Sequence, residues 1–181
     1  MESGKSLKKV SLQVEEKEEK QMRNFTASQT REYEKSNSLD RIPCLEGLDT
    51  GCKAKILEGA SDAISRTSVG QKFIDCVCKK AGVPTVLLWV KDKNQLHRDD
   101  KAAGTLKQKT LGRYWHAGSS GKKIEIWNLT AKRGKVVAAK TFWNTLCHEL
   151  CHHLDCAKLG LESSFHCAGF YKRISFLESL G

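Results

Sequence analysis

The segment from Thr145 to Asp155 reads TLCHELCHHLD and holds three of the six histidines of the 181-residue chain. On an α-helix, His148 and His152 lie one turn apart and about 40° apart around the axis, so both imidazoles can reach one ion. Glu149 lies about 100° from His148, beside the pair. This HExxH pattern predicts that the two histidines bind a metal and that Glu149 transfers a proton.

The opposite side of the same segment is apolar. Trp143, Leu146, Leu150 and Leu154 recur at the spacing of one helix face. We therefore expect an amphipathic helix from about residue 137 to residue 158, with these side chains in the core and the histidines turned towards a site.

A catalytic zinc site normally has three protein ligands and one open position, so a third ligand is needed. The candidates after His152 are His153, Asp155, Glu162, His166 and Cys167. His153 points away from the pair, and Asp155 is interpreted as a hydrogen-bond acceptor that orients a histidine or joins the helix to a loop. Glu162 sits in a short loop instead of on a second helix. We therefore prefer His166, which follows the loop that turns the chain back.

Apolar periodicity and turn residues divide the rest of the chain into short elements. We expect helices at 52–63, 69–80 and 169–179, a buried strand at 85–90, a loop or short helix at 92–110, and a β-hairpin at 111–130 that turns at AGSSG. In the second strand of the hairpin, Ile124, Ile126 and Asn128 alternate with Glu125 and Trp127. These elements indicate an α+β fold.

Residues 1–40 and residues 41–181 differ in charge. The first range contains eight Lys/Arg and eight Asp/Glu, which leaves 23 and 13 for the second. We expect residues 1–40 to be a disordered or loosely helical charged tail and residues 41–181 to be the folded domain. The positive surplus of the domain favours contact with DNA or another polyanion.

The chain shows neither a membrane segment nor a secretory signal. No apolar run reaches the roughly 20 residues that span a membrane, and MESGKSLKKV lacks an apolar stretch behind its charges. We therefore expect a cytoplasmic protein without membrane contact. The eight cysteines include no CxxC pair and are expected to be reduced, mostly as small buried side chains.

HELCHHLD, followed by a loop and then by HCAGFYKRI, resembles the two histidine motifs of the SprT-like zinc metalloproteases, which include the Spartan-type proteases. The resemblance covers roughly residues 85–181 and extends to the hairpin from LGRY to IEIWN. It implies a zincin-like domain with N-terminal helices, a small mainly antiparallel sheet, an active-site helix and a C-terminal helix. It also implies Zn2+ held by His148, His152 and His166, with Glu149 as general base.

The function that follows is a zinc-dependent endopeptidase that hydrolyses peptide bonds through a metal-activated water. We expect protein substrates, with nucleic-acid-associated proteins as a candidate class. In such an enzyme an exposed strand edge holds the substrate as an added strand, and residues 123–128 are the predicted edge. Tyr114, His116 and Tyr171 are candidate donors to the oxyanion.

Two other classes of protein fit parts of the pattern. A non-proteolytic module would use zinc only for stability and bind nucleic acid through its basic surface. A deformylase-like hydrolase would pair the two histidines of the motif with an upstream cysteine, either Cys76 or Cys78.

Overall fold

The computed structural model describes residues 25–100, 105–116 and 121–181. These ranges contain five α-helices, five β-strands, a 3-10 turn and a π-helical turn. The helices are α1 (Ala27–Ser38), α2 (Cys52–Glu58), α3 (Ala63–Ala81), α4 (Ala139–Leu154) and α5 (Ala168–Ser179). The strands are β1 (Leu87–Asn94), β2 (Leu96–Asp100), β3 (Thr105–Thr110), β4 (Gly112–Trp115) and β5 (Lys123–Leu129). The predicted α+β class is confirmed.

A three-stranded sheet in the order β1-β5-β4 forms the centre of the fold. β5 runs parallel to β1 and antiparallel to β4, so this sheet is mixed. Its inner face packs against α3 and α4 and is made of buried aliphatic side chains from paired positions: Leu88, Val90, Ile124 and Ile126. The side chains between them, including Trp89 and Glu125, face the opposite side.

The predicted hairpin is confirmed, since β4 pairs with β5 from Gly112↔Ile126 to Trp115↔Lys123. Residues 117–120, most of its predicted turn, lie outside the described residues. The predicted alternation along β5 is present, but residues 124–128 are all buried. Glu125 and Trp127 are buried on the outer face because the long side chain of Lys91 lies over both.

β5 is the central strand of this sheet, so the prediction that residues 123–128 form a substrate-binding edge is wrong. Its backbone pairs with β1 on one side and with β4 on the other. Among the described strands, the sheet edge next to α4 is β4. Strand period identified the strand, but it carries no information about the position of that strand in the sheet.

The prediction of a loop or short helix over residues 92–110 is also wrong. β1 continues to Asn94, and β2 and β3 then form a separate antiparallel pair with Leu96↔Thr110 in register. Such a ladder is defined by backbone hydrogen bonds, and these need no apolar alternation in the sequence.

The two helices before the sheet are present with shifted bounds. α2 ends at Glu58, earlier than predicted. α3 begins earlier than predicted, at Ala63, where Asp62 Oδ1 accepts the backbone N–H of Ser65 at 2.8 Å. It ends before Gly82, whose φ is 69°. The side-chain cap and the left-handed glycine are ordinary start and stop signals.

The motif helix α4 is shorter than predicted and is followed by a π-helical turn, Asp155–Leu159. The turn ends at Gly160, which has a φ of 63°. π-Helical turns are frequent at functional sites, and this one begins three residues after His152. It directs the chain away from the helix axis before the segment that carries His166.

α1 lies within the predicted tail and is packed against the domain. Thr26 and Gln29 form a capping box at its start, and Tyr33 and Ser36 are buried. Residues 27–38 thus belong to the folded domain, although the predicted boundary lies after residue 40. Residues 1–24 lie outside the described residues.

A buried arginine fixes the start of α4 relative to the sheet. Arg66 of α3 donates to Ala60 O at 2.9 Å, to Asn128 Oδ1 at 2.7 Å and to Val137 O at 2.7 Å. Its guanidinium also lies 4.8 Å from the ring centroid of Phe142.

None of the helices described above combines the length and the apolarity needed to cross a membrane.

The close crossing of α1 and α5 depends on Gly169. A Cβ at this position would collide with the carbonyl oxygen of Ser36 and lie 2.9 Å from Asn37 Cα. We expect Gly169→Ala to lower the free energy of unfolding by about 2–3 kcal/mol, because the backbone of α1 must move. Urea unfolding followed by circular dichroism measures this change.

Gly70→Ala is the matched comparison. A Cβ at Gly70 would lie 2.6 Å from Leu88 Cδ2, the end of a flexible side chain that can rotate away. We expect a loss of less than about 1 kcal/mol, because the helix propensity of alanine offsets the strain. Equal losses in the two variants would contradict the role given to Gly169.

Candidate metal centre

Three imidazoles meet between the end of α4 and the loop before α5. His152 Nε2 lies 3.2 Å from His148 Nε2 and 3.0 Å from His166 Nε2. One ligand atom of each residue lies within 4.8 Å of the other two. The structure thus brings together His148, His152 and His166, the three predicted ligands. Among the described residues, no other three His, Cys, Asp or Glu side chains lie close enough together to hold a metal ion.

The spacing of the three nitrogens fits a tetrahedral site. Zn–N bonds of about 2.0–2.1 Å place neighbouring ligand atoms roughly 3.3 Å apart, close to the two distances above. Imidazole suits zinc, copper, iron and nickel, so the donor set indicates a first-row transition metal. All three histidines border a cavity of about 390 Å³, through which a fourth position can be reached.

A chain of hydrogen bonds determines the tautomer of His152. Its Nδ1 lies 2.8 Å from Ser164 Oγ, and Ser164 donates its single hydroxyl proton to Asp155 Oδ2 at 2.9 Å. Ser164 must therefore accept the N–H of His152 Nδ1. Nε2 then carries a lone pair directed at the other two imidazoles, as a metal ligand requires. Asp155 orients His152 through Ser164 and joins the helix to the loop, which are both roles predicted for it.

Asp155 is held in turn by Arg173 of α5. Arg173 Nε and Nη2 each donate to one carboxylate oxygen at 2.9 Å, and both side chains are fully buried. Burial raises the pKa of the Asp155 carboxyl, and the bonds from Arg173 and Ser164 oppose that rise. Because these groups all donate, they stabilise the ionised carboxylate.

Burial keeps the imidazoles of His148 and His152 neutral at pH 7. It lowers the pKa of His148 to about 4, with a smaller contribution from the charge of His166. Burial and the charges of His148 and His166 lower the pKa of His152 to about 3. The pKa of His166 is also lowered by burial. Neutral imidazole is the form that binds a metal. No proton therefore has to leave these histidines before a metal can bind.

Glu149 is buried next to His148 on α4, where this helix packs against β4. Burial raises the pKa of Glu149 to about 7. A hydrogen bond from the backbone N–H of Tyr114 and the positive charge of Arg113 lower it by smaller amounts. Gly112 makes this approach possible, since a Cβ there would lie 2.9 Å from Glu149 Oε1 and 2.7 Å from Thr145 Cγ2. A carboxylate with a pKa near neutrality can both accept and donate a proton at pH 7.

The remaining candidates have other surroundings. His153 is fully buried, with Nε2 at 2.9 Å from Pro84 O and Nδ1 at 3.2 Å from the Tyr114 hydroxyl, which agrees with its predicted structural role. Cys167 Sγ lies 3.2 Å from Ser36 Oγ. Glu162 borders the cavity at the centre without belonging to the histidine cluster.

The deformylase-like alternative has no ligand set in the described residues. Cys76 and Cys78 both lie on α3, the first exposed and the second buried. Neither belongs to a group that could hold a metal.

α1 holds the loop that carries His166. Glu32 accepts the backbone N–H of Ser163 at 2.6 Å and its hydroxyl at 3.0 Å. The ring of Phe165 also packs against Phe25, just before α1, at a centroid distance of 4.6 Å. The third ligand is therefore positioned by a helix more than 120 residues away in sequence.

Sequence reasoning missed several residues that position the centre, and two of them carry a signal. Arg173 lies on the same face of α5 as Phe170 and Ile174, and an arginine on an apolar face indicates a buried partner. Gly112 opens a strand, where glycine often marks the close approach of another element. Ser164 and Glu32 carry no such signal, because their roles depend on how distant segments meet.

A groove runs past the centre between β4 and α4. Its first part, of about 480 Å³, is bordered by residues 109–112 and by α4. Its second part continues past the three histidines to Glu162. Gly112, His148 and Glu149 border both parts, so an extended ligand can pass through with the centre in its middle.

We expect His166→Ala to lose stoichiometric zinc, because one of three imidazoles is removed, and Glu162→Ala to retain it. Zinc per chain, measured by inductively coupled plasma mass spectrometry after dialysis, distinguishes the two variants. Zinc retained by His166→Ala, or lost from Glu162→Ala, would contradict the three-histidine set.

We expect Ser164→Ala to weaken zinc binding about 10- to 100-fold, because His152 loses the acceptor that fixes its tautomer. Competition with a chromophoric chelator gives the affinity. Ser175→Ala is the control, since its exposed hydroxyl bonds to Tyr171 O on the outside of α5. An affinity of Ser164→Ala equal to that of the control would show that Ser164 does not position His152.

Comparisons of the chain with models of protein families, with curated proteins and with solved structures find no match.

Proposed function

We propose that this protein is a zinc-dependent endopeptidase of the SprT-like, zincin-like kind. The observation that carries the proposal is the place of Glu149, a buried carboxylate with a pKa raised to about 7 beside three converging imidazoles. Both the spacing of the nitrogens and the tautomer of His152 fit zinc. Acid–base chemistry next to a Lewis acid, inside an extended groove, suits the hydrolysis of peptide bonds.

The chain's own residues have separate tasks in this reaction. Held by His148, His152 and His166, zinc would supply Lewis acidity, which polarises a peptide carbonyl and lowers the pKa of a coordinated water. Glu149 takes the proton of the attacking water and passes it to the leaving amine nitrogen.

The edge of β4 supports binding of an extended peptide. Trp127 N donates to Leu111 O, so Leu111, Arg113 and Trp115 direct their backbone groups towards β5. The backbone groups of Gly112 and Tyr114 point the other way, into the groove. The Tyr114 N–H bonds to Glu149, and the remaining groups can pair with a substrate strand. A groove that continues on both sides of the centre favours an endopeptidase.

Two candidates remain for the group that stabilises the oxyanion. The hydroxyl of Tyr114 lies against His153 Nδ1 and packs there. His116 borders the cavity with the three histidines, and Tyr171 is 54% exposed with its ring 6.2 Å from that of His166.

The surplus of positive charge in residues 41–181 supports proteins associated with nucleic acid as a substrate class.

We expect Glu149→Gln to abolish cleavage, by at least about a hundredfold, because the amide can neither take nor deliver the proton. Zinc content should stay at the wild-type level, since Glu149 is not a ligand. Cleavage of casein and of histones, with and without DNA, measures activity. Glu58→Gln, at an exposed glutamate that ends α2 and does not border the groove, is the matched control and should keep activity.

Inactivity of zinc-loaded wild type on both substrates, or equal activity of wild type and Glu149→Gln, would overturn the proposal. Inactivity of a zinc-loaded protein that still binds DNA would favour the alternative, a non-proteolytic nucleic-acid-binding module stabilised by zinc.

A further inference from the structure

The outer face of the three-stranded sheet carries three of the four tryptophans of the chain. Trp89 lies on β1, Trp115 on β4 and Trp127 on β5. The register places Trp89 beside Glu125 and places both Lys91 beside Trp127 and Trp115 beside Lys123. Aromatic and charged side chains therefore alternate across the face.

Basic groups on this face are held over the aromatic rings. Lys91 Nζ lies 4.5 Å from the ring centroid of Trp89 and 5.2 Å from that of Trp127. Lys123 Nζ lies 5.6 Å from the centroids of both Trp89 and Trp115. The Arg113 guanidinium lies 5.0 Å from the ring of Trp115. Cation–π attraction of this kind favours keeping the positive charges next to the rings.

A buried carboxylate organises the lysines. Glu125 is 4% exposed and lies in the centre of the face, with Lys91 Nζ and Lys123 Nζ each 3.0 Å from one of its oxygens. One acid thus neutralises only one of the two lysines. Arg113, Lys93 and Asp92 border the same cavity and are exposed. Together with Lys91, Lys123 and Glu125 they make four cationic and two anionic groups, so the face keeps a positive charge.

The face is concave and its outer rings are accessible. The cavity above it has a volume of about 640 Å³. Within the described part of the chain, Trp89 is 52% exposed and Trp115 is 36% exposed, whereas Trp127 is buried beneath Lys91. The two accessible rings stand on either side of β5, offset by two residues along the strands. Both ring centroids lie 5.6 Å from Lys123 Nζ, so Lys123 stands between them.

We propose that this face binds single-stranded nucleic acid, with bases stacked on Trp89 and Trp115 and phosphates held by the surrounding lysines and Arg113. Accessible aromatic rings among cationic groups are the features that recognise unpaired bases on a phosphate backbone. A duplex offers its phosphates but keeps its bases stacked inside, so it cannot use the rings. The positive surplus of residues 41–181 complements the same ligand.

This site is separate from the metal centre. The inner face of the sheet packs on α4, which carries His148, whereas the tryptophans lie on the opposite face. β4 connects the two, since Arg113 borders both the outer cavity and the cavity at the histidines. Because the test below measures binding alone, its result does not depend on whether the centre cleaves peptides.

The experiment measures fluorescence anisotropy of labelled oligothymidylate and oligouridylate of about 15 nucleotides with the full chain. We expect Trp89→Ala and Trp115→Ala each to weaken binding roughly tenfold, because each removes one stacking ring. Tyr171→Ala removes an aromatic side chain of similar exposure, 54%, and should bind as wild type. Trp89→Phe keeps a smaller ring and should lose less than Trp89→Ala. Circular dichroism confirms that each variant is folded.

An abasic oligonucleotide of the same length separates stacking from charge. Wild type should bind it more weakly than oligothymidylate, and the tryptophan variants should bind it as wild type does. Lys93→Glu should weaken binding of both oligonucleotides, whereas Lys80→Glu, an exposed lysine on α3, should not. No binding of either intact oligonucleotide, equal binding of intact and abasic strands, or duplex binding as tight as single-strand binding would overturn the proposal.

Discussion

Arg173 and Asp155 form an ion pair whose two side chains have no exposed surface. Removing two charges from water is costly, so such a pair is stable only when hydrogen bonds satisfy the rest of both groups. Arg173 also donates to the carbonyl oxygens of Ser36 and Leu39 at the end of α1, and Asp155 accepts the hydroxyl of Ser164. The pair therefore connects α1, the π-helical turn, the histidine loop and α5. One end of this network orients His152, so the geometry of the three-histidine cluster and the packing of the N-terminal helix depend on the same contacts.

The sequence predicted what local periodicity can encode. The pairing of His148 and His152 on one face of α4 follows from helix geometry, and the hairpin follows from strand period with a glycine-containing turn. His166 could be proposed because few candidate ligands follow the helix. Contacts between distant segments could not be predicted in this way. Neither the central place of β5 nor the packing of α1 has a local signature, since both depend on which strands and helices become neighbours after the chain has folded.

The hairpin of β4 and β5 serves three different surfaces. Ile124 and Ile126 point into the core, Arg113 and Trp115 lie on the outer face, and Gly112 lies against Glu149 in the groove. A strand can serve two faces because its side chains alternate, and an edge strand adds its backbone as a third surface. A substitution in β4 therefore acts on more than one surface of the molecule.

The contacts between α1 and the loop at His166 also determine when the three-histidine cluster can form during synthesis of the chain. The ribosome releases α1 first, then the helix with His148 and His152, and only afterwards His166 and Arg173. Until Arg173 has left the exit tunnel, α1 lacks the partner that receives its last turn, and the third histidine has no fixed place. An emerging chain thus carries His148, Glu149 and His152 on one helix before the three-histidine cluster exists.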